Sequence, residues 1–267
     1  MVFSVPIPSD IVHDVLDYLR DDVNTLKACA IVSQSFLPLS RKHLFFAIHI
    51  DHFHLSRRLY DLLRQKPEIA EYIRELYFDD IVGRGMQAWQ CLVTDQATCR
   101  MLPTLHCLRR LSLSPAVIID WNSLPNDLIS ALTHQFRSPC LDFVTIGRFR
   151  GVPMSILSLL VREVKNLHLQ WASLEDDLHE HPLVDAEHAP KLEVLELGLL
   201  PGSRSRPPPE LFHSARKLHA IFLLSSTIST LSAAQSVIRS CGSSIKSIGW
   251  MYSENNMEGT LPHSLVL

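Results

Sequence analysis

The chain has 267 residues, which suits one or two domains, and hydrophobic residues make up 46% of it, enough for a substantial core. The formal net charge is −3, and no acidic or basic block interrupts the sequence, so the composition gives no sign of a nucleic-acid partner. The opening MVFSVPIPSD has no cationic stretch followed by an apolar run, and we therefore expect no secretory signal.

Cysteine usage and hydropathy favour a soluble protein inside the cell. The six cysteines are scattered and form no C-x-x-C pair, which indicates reduced, mostly buried thiols in the cytoplasm or the nucleus. The uncharged stretch 218–238 contains eight serine, threonine and glutamine residues, too many for a membrane span. We therefore expect no membrane partner.

Residues 7–45 carry the pattern of three short helices. Apolar residues recur every three or four positions from Ile11 to Leu19, which predicts a first amphipathic helix. A second helix is predicted around 26–32, and a third contains Pro38 in its first turn, where a proline costs little. Helices this short cannot bury all their apolar surface, so a neighbouring domain or a partner should cover part of it.

The same residues carry a family resemblance. The run IPSDIVHDVLDYL…TLKACAIVSQSFLPLSRKHLF resembles an F-box over residues 5–46, although Phe36 replaces the usual Trp and Ile7 the usual Leu. The resemblance implies docking on the Skp-family adaptor of an SCF-type ubiquitin ligase. The implied adaptor-binding residues are Pro8, Ile11, Val15, Leu16, Leu19, Leu26, Cys29, Val32 and Phe36. The alternative is a helical cap that shields the end of a repeat domain.

From Phe45 onward an apolar triplet of the form L-x-x-L-x-L recurs. Its first members are Phe45, Ile73, Leu108, Leu141, Val164, Leu192, Leu218 and Ile245, so successive steps run from 23 to 35 residues. This spacing is typical of leucine-rich repeats, in which each repeat is a strand followed by a returning helix. We therefore predict an α/β fold, with the three-helix F-box at 5–46 followed at 47–267 by an irregular leucine-rich-repeat solenoid with a parallel sheet on its concave face.

The stretches between the triplets predict the returning segments. Helices are expected at 54–69, 86–102, 122–136, 152–161 and 230–241. The run GSRSRPPP at 202–209 predicts a surface loop, because consecutive prolines cannot join a sheet.

If the leucine columns face the core, the alternate residues face the concave surface. The candidate target-binding residues there are Tyr77, Ser112, Thr145, His168, Glu196, Phe222, Leu224 and Met251. Seven parallel strands about 4.8 Å apart span roughly 30 Å, enough for a protein or peptide ligand. The aromatic residues and the methionine near one end favour a binding patch over an unused sheet.

We find no constellation that predicts catalysis, a metal or a cofactor. His49, His52 and His54 lie close in sequence, but a metal site would need a further ligand and a fixed geometry. There is no G-x-S-x-G motif to present a nucleophilic serine. An enzyme would require His52, His54 and a distant acid to converge on one pocket.

The sequence thus predicts a non-enzymatic substrate-recognition subunit of an SCF-type ubiquitin ligase. The F-box would bind the adaptor, and the concave face would bind an unidentified protein substrate. The alternative is a stand-alone leucine-rich-repeat scaffold whose N-terminal helices only cap the solenoid.

Overall fold

The computed structural model describes residues 8–79, 96–175, 190–200, 207, 209–212, 215–224, 228–241, 243–250 and 264–266. Within these ranges the chain forms eight α-helices and thirteen strands. The fold is mixed α/β and is built on one large, mainly parallel sheet.

Three helices open the chain, as the sequence predicted. They are α1 (Ser9–Tyr18), α2 (Val23–Val32) and α3 (Leu37–Leu44). The Asp22 carboxylate caps α2: it accepts hydrogen bonds from the Thr25 backbone N–H at 3.0 Å and from the Thr25 hydroxyl at 2.7 Å. These bonds lower the pKa of the Asp22 carboxyl, the hydroxyl contributing most.

The N-terminal helices have a small core of their own. Val12, Leu16 and Leu26 are buried in it, and five partly buried side chains pack around them: Leu19, Cys29, Phe36, Leu39 and Leu44. The next residue, Phe45, packs instead against a much larger core that continues to the other end of the sheet. The chain therefore passes from one core to the other between Leu44 and Phe45.

The large sheet has nine strands, paired in the order in which they occur along the chain. They are β1 (Ala47–His49), β2 (Glu75–Asp79), β3 (Arg110–Ser114), β5 (Phe143–Gly147), β8 (Asn166–Ala172), β10 (Val194–Leu199), β11 (Ala220–Leu223), β12 (Ser247–Trp250) and β13 (Ser264–Val266). The first eight are parallel, and β13 is antiparallel to β12. Two further parallel pairs join β4 (Ile119–Asp120) to β6 (Phe149–Arg150) and β7 (Val152–Pro153) to β9 (Leu174–Glu175).

The strand register places the predicted apolar triplets side by side. Their second members form one continuous column of register partners, here called the leucine column: Ile48, Leu76, Leu111, Val144, Leu167, Leu195, Ile221 and Ile248. From Leu76 to Ile221 every member of this column is fully buried. Side chains alternate between the faces of a strand, so the residues between them lie on the opposite face of the sheet.

Five further helices lie between the strands, and each contributes buried side chains to the large core that contains the leucine column. They are α4 (Phe53–Gln65), α5 (Gln96–Met101), α6 (Asn126–Phe136), α7 (Met154–Glu163) and α8 (Ile228–Cys241). No described helix is long and apolar enough to cross a membrane.

Prolines and short strands shift the predicted helix boundaries. The helix predicted at 54–69 ends at Gln65, and a 3₁₀ turn that starts with Pro67 follows it. The one predicted at 122–136 starts at Asn126, with Pro125 as its N-cap. The helix predicted at 152–161 starts at Met154, because the two residues before it form β7.

Two predicted segments fall mostly outside the described residues. Of the helix expected at 86–102, the structure describes α5 and the start of the 3₁₀ turn Leu102–Thr104. Of the loop expected at 202–209, it describes only residues 207 and 209.

Candidate interaction surfaces

The face of the sheet opposite the leucine column is here called the open face. Its middle row consists of register partners on successive strands: Tyr77, Ser112, Thr145, His168, Glu196, Phe222 and Gly249. The sequence predicted this row from Tyr77 to Phe222 in this order. The register also puts Glu75, Arg110, Phe143, Asn166 and Val194 in the row beside it.

Rings and a cation form a connected chain over the first half of the open face. The His49 and Tyr77 rings stack with centroids 4.4 Å apart. Arg110 donates a hydrogen bond to the Tyr77 hydroxyl at 3.2 Å, and its guanidinium lies 4.1 Å from the Phe143 ring centroid. The Phe143 and His168 ring centroids are 4.4 Å apart. Because each side chain is held by the next, a ligand would meet a surface with little conformational freedom left to lose.

Tyr77 is the polar centre of this ring chain. Its hydroxyl donates to the Glu75 carboxylate and accepts from Arg110. Burial raises the pKa of Tyr77, and the hydrogen bond to Glu75 raises it further, whereas Arg110 lowers it. Tyr77 therefore presents a neutral hydroxyl throughout the physiological pH range.

A buried carboxylate lies where the ring chain ends. Glu196 is only 1% exposed; one of its oxygens is 2.8 Å from His168 Nδ1, and the other accepts from Gln170 Nε2 at 2.9 Å. A carboxylate this deep is tolerated when its oxygens have partners, as both do here. The pair fixes the His168 ring orientation and hence its contact with Phe143.

The second half of the open face is apolar and closely packed on glycines. A Cβ at Gly249 would lie 2.6 Å from Phe222 Cδ1, and one at Gly198 would lie 2.8 Å from Leu224 Cβ. Phe222 and Leu224 are half-buried there. Met251, predicted for the same patch, lies outside the described residues.

A backbone irregularity that the sequence did not predict lies beside this patch. The register between β8 and β10 shifts after the Gln170–Gly198 pair, so that Trp171 is the extra residue of a bulge. Trp171 has φ 54°, a left-handed conformation that costs a bulky residue about 1 kcal/mol or more. Alternating apolar and polar residues cannot reveal where a strand will bulge.

The predicted target-binding residues differ in how much surface they offer. Ser112, Thr145 and Glu196 are buried, so they support the open face and contribute little area to it. Tyr77, His168, Phe222 and Leu224 are half-buried and accessible. The accessible surface is therefore more aromatic than the middle row suggested.

A second candidate surface is the apolar outside of α1 and α2. Ile11 is 53% exposed, Val15 50% and Tyr18 89%, and these residues follow one another at helical spacing along α1. On α2, Ile31 is 86% exposed and Val32 77%. Large apolar side chains exposed side by side typically mark a contact surface.

This surface divides the predicted adaptor-binding residues. Pro8, Ile11, Val15 and Val32 are exposed, and Leu19, Cys29 and Phe36 are half-buried. Leu16 and Leu26, both expected to contact a partner, lie in the small core and offer it no area in this arrangement. Sequence reasoning missed Tyr18, Val23 and Ile31. Tyr18 could have been found, since it lies seven residues after Ile11 on the same helix face.

Two of the histidines that lie close in sequence, His49 and His52, have different environments. His49 stacks on Tyr77, and its Nδ1 is 4.0 Å from an Asp79 carboxylate oxygen. His52 Nδ1 is buried and has no hydrogen-bond partner among the described residues. In the part of the chain that the structure describes, no three histidine, cysteine or acidic side chains are grouped closely enough to hold a metal.

Comparison with known proteins adds nothing to this geometry. No protein-family model matches the chain, and no curated protein is significantly similar to it. The chain is a mixed α/β protein with a large, mainly parallel sheet that three helices precede. Its function must be argued from the two surfaces described above.

Proposed function

We propose that this chain is the substrate-recognition subunit of an SCF-type cullin–RING ubiquitin ligase. In this proposal α1–α3 form an F-box, and the strands with their returning helices form irregular leucine-rich repeats. The observation that carries it is the exposed apolar face of α1 and α2, located directly before a parallel sheet with a ring-lined open face. Catalysis would belong to other subunits of the ligase.

Packing energetics support docking at the N-terminal helices. Burying apolar surface yields about 25 cal/mol per Å², so covering five large exposed side chains would stabilise a complex by several kcal/mol. Val12, Leu16 and Leu26 would hold the two helices in place from inside. The proposed partner is the Skp-family adaptor, with Ile11, Val15, Tyr18, Ile31 and Val32 as its contacts.

The open face would hold the target protein. Its ring chain offers flat aromatic surfaces with a tyrosine hydroxyl and a guanidinium between them, the residue types that are enriched in protein interfaces. Bringing the target close to the ubiquitin carrier would raise the effective concentration of its lysines. The role would be performed in the cytoplasm or the nucleus, where thiols stay reduced.

Co-purification with a Skp-family adaptor tests the proposal. We expect the wild-type chain to retain the adaptor and an Ile11→Asp/Val15→Asp variant to lose it. Both residues are half-exposed, so the thermal midpoint of the variant should stay close to that of the wild type. His13→Asp, an exposed change outside the apolar face of α1, is the matched control and should retain the adaptor. A wild type that retains no adaptor, or an apolar-face variant that retains as much as His13→Asp, contradicts the proposal.

One observation favours the stand-alone scaffold as an alternative. The small N-terminal core joins the large one without a linker, since Leu44 belongs to one and Phe45 to the other. Such a direct junction is also expected of a helical cap on a repeat domain. A saturating amount of adaptor should raise the thermal midpoint of the chain if α1–α3 form an F-box, and leave it unchanged if they are a cap.

A further inference from the structure

A cavity of about 570 Å³ lies on the helical side of the molecule, between α4 and the segment 100–106. Its lining residues are Tyr60, Leu63, Arg64, Pro67, Ala70, Arg100, Thr104 and His106. Two arginines and a histidine are among them, and none of these lining residues carries a carboxylate. The cavity is therefore cationic, and the open face of the sheet contributes no residue to it.

The two arginines have no acidic partner among the described residues. The Arg100 guanidinium donates to the neutral Gln96 side chain at 3.0 Å, and the Arg64 guanidinium lies 5.9 Å from the Tyr60 ring centroid. No described aspartate or glutamate forms an ion pair with either of them. Both side chains thus reach the cavity with donors to spare, since each guanidinium carries five N–H groups.

Other lining residues are held by hydrogen bonds or by packing against the large core. The Thr104 hydroxyl donates to the Met101 carbonyl oxygen at 2.7 Å, and His106 Nδ1 lies 3.0 Å from the Thr104 carbonyl oxygen and must donate to it. Leu63 and Ala70 are buried and anchor the floor to the large core. The cavity thus combines a buried apolar floor with two exposed arginines at its rim.

We propose that this cavity binds a phosphate monoester. The dianionic phosphate would lie between Arg64 and Arg100, whose planar forks match its oxygens, and the organic part would pack against Tyr60 and Pro67. A dianion suits two guanidinium groups without an acidic partner among the described residues better than a single carboxylate does. The site is independent of the proposed adaptor and target surfaces.

A neighbouring cavity identifies which side takes the phosphate. It measures about 430 Å³, shares Arg100 and also contains Asp127 and His134. The Asp127 carboxylate would repel a phosphate there, whereas none of the described residues that line the first cavity is acidic. The phosphate is therefore assigned to the Arg64 side of Arg100.

Titration calorimetry of the full chain with phenyl phosphate, inorganic phosphate and phenol tests the proposal. We expect saturable binding of phenyl phosphate, weaker binding of inorganic phosphate because it lacks the ring, and none of phenol. Binding should weaken as salt is raised, because the arginines are exposed. Absence of saturable phenyl phosphate binding, or equal binding of phenol, would overturn the proposal.

Two matched double variants locate the site. Arg64→Gln/Arg100→Gln should weaken phenyl phosphate binding by about tenfold or more, the loss expected from one or two charge-assisted hydrogen bonds. Arg57→Gln/Arg58→Gln removes the same charge from exposed positions of α4 outside the cavity and should bind as the wild type does. All four arginines are exposed, so both variants should fold. Equal weakening in the two variants would show non-specific charge attraction and refute the site.

A third arm distinguishes the two sources of such a group. Free O-phosphoserine and a short peptide that contains phosphoserine carry the same phosphate monoester. Tighter binding of the peptide assigns the cavity to phosphorylated protein segments, and equal or weaker binding assigns it to small phosphorylated molecules. Loss of either affinity in Arg64→Gln/Arg100→Gln supports the site; if neither compound binds, the proposal fails.

Discussion

At the scale of single residues, the open face depends on a buried carboxylate that the sequence did not identify as buried. Alternation placed Glu196 on the same face as His168 and Gln170, and the register makes all three neighbours. Its burial follows from those neighbours, which lie over it and satisfy both of its oxygens. Glu196 therefore organises the face from within.

Removing this carboxylate should destabilise the protein. Glu196→Ala leaves His168 and Gln170 without their acceptor, and we expect a loss of about 1–3 kcal/mol in the free energy of unfolding. Urea unfolding of Glu196→Ala, His168→Ala and the double variant measures the coupling between the two residues. Strictly additive losses would mean that the His168–Glu196 contact contributes nothing in solution.

Two cysteines should differ in reactivity. The Cys241 thiol is buried and donates to the Phe212 carbonyl oxygen at 3.0 Å, and burial raises its pKa to about 11. Cys140 is exposed. Because the thiolate is the reactive form, iodoacetamide near neutral pH should modify Cys140 well before Cys241, as peptide mass spectrometry would show. Equal labelling rates in the native protein would contradict the burial of Cys241.

The raised pKa of Cys241 also predicts a loss of stability in alkali. The folded state favours the neutral thiol, so its contribution is complete below the ordinary value of 9.0 and is lost as the pH rises through about 11. Over this pH interval the thermal midpoint of the wild type should therefore fall further than that of a Cys241→Ala variant. Parallel pH profiles for the two proteins would show that the Cys241 thiol does not contribute to stability in this way.

At the scale of helices and strands, sequence periodicity predicted the elements better than their boundaries. The leucine column forms as predicted because side chains alternate between the two faces of a strand. A strand that is apolar at every second position can therefore turn only one of its faces toward the core. Helix starts were displaced by local chemistry, as at Pro125, where the N-cap residue sets the first turn. The bulge at Trp171 has no such local signal and arises from the pairing of β8 with β10.

Glycines on the open face provide a test of strand packing. Gly198→Ala would bring a Cβ within 2.8 Å of Leu224 Cβ and 3.3 Å of the Leu169 carbonyl oxygen, so backbone must shift, at a cost of about 1–3 kcal/mol. Gly147→Ala meets the Ser114 hydroxyl oxygen at 2.8 Å, which can rotate away. Both changes reduce the entropy of the unfolded chain alike. Urea unfolding should show the larger loss for Gly198→Ala; equal losses would contradict the close approach of Leu224.

At the scale of the whole molecule, two cores of very different size share one chain. Three buried side chains hold the N-terminal helices together, whereas the sheet and its helices share one continuous core from Ile50 to Cys241. Local stability follows the amount of buried apolar contact. The N-terminal helices should therefore open more readily than the sheet.

Hydrogen exchange followed by mass spectrometry tests this difference. Amides of α1 and α2 should exchange well before those of β5 and β8 in the middle of the sheet. The reference is α4, which anchors Leu59 and Leu63 in the large core, and it should be better protected than α1. Equal protection in α1 and α4 would show that the two cores unfold as one unit.

The apolar columns, the parallel order of the strands and the three leading helices could all be predicted without the fold. Each follows from local periodicity and from the short connections between successive elements. Tertiary structure alone decided which apolar residues of α1 and α2 turn inward, because an amphipathic stripe does not reveal which of its edges the neighbouring helix covers. It also decided the contact between Tyr77 and Arg110, and the shared cavity of Arg64 and Arg100. The two residues of each pair are distant in sequence, and they come together only because the helices and strands between them pack in one particular way.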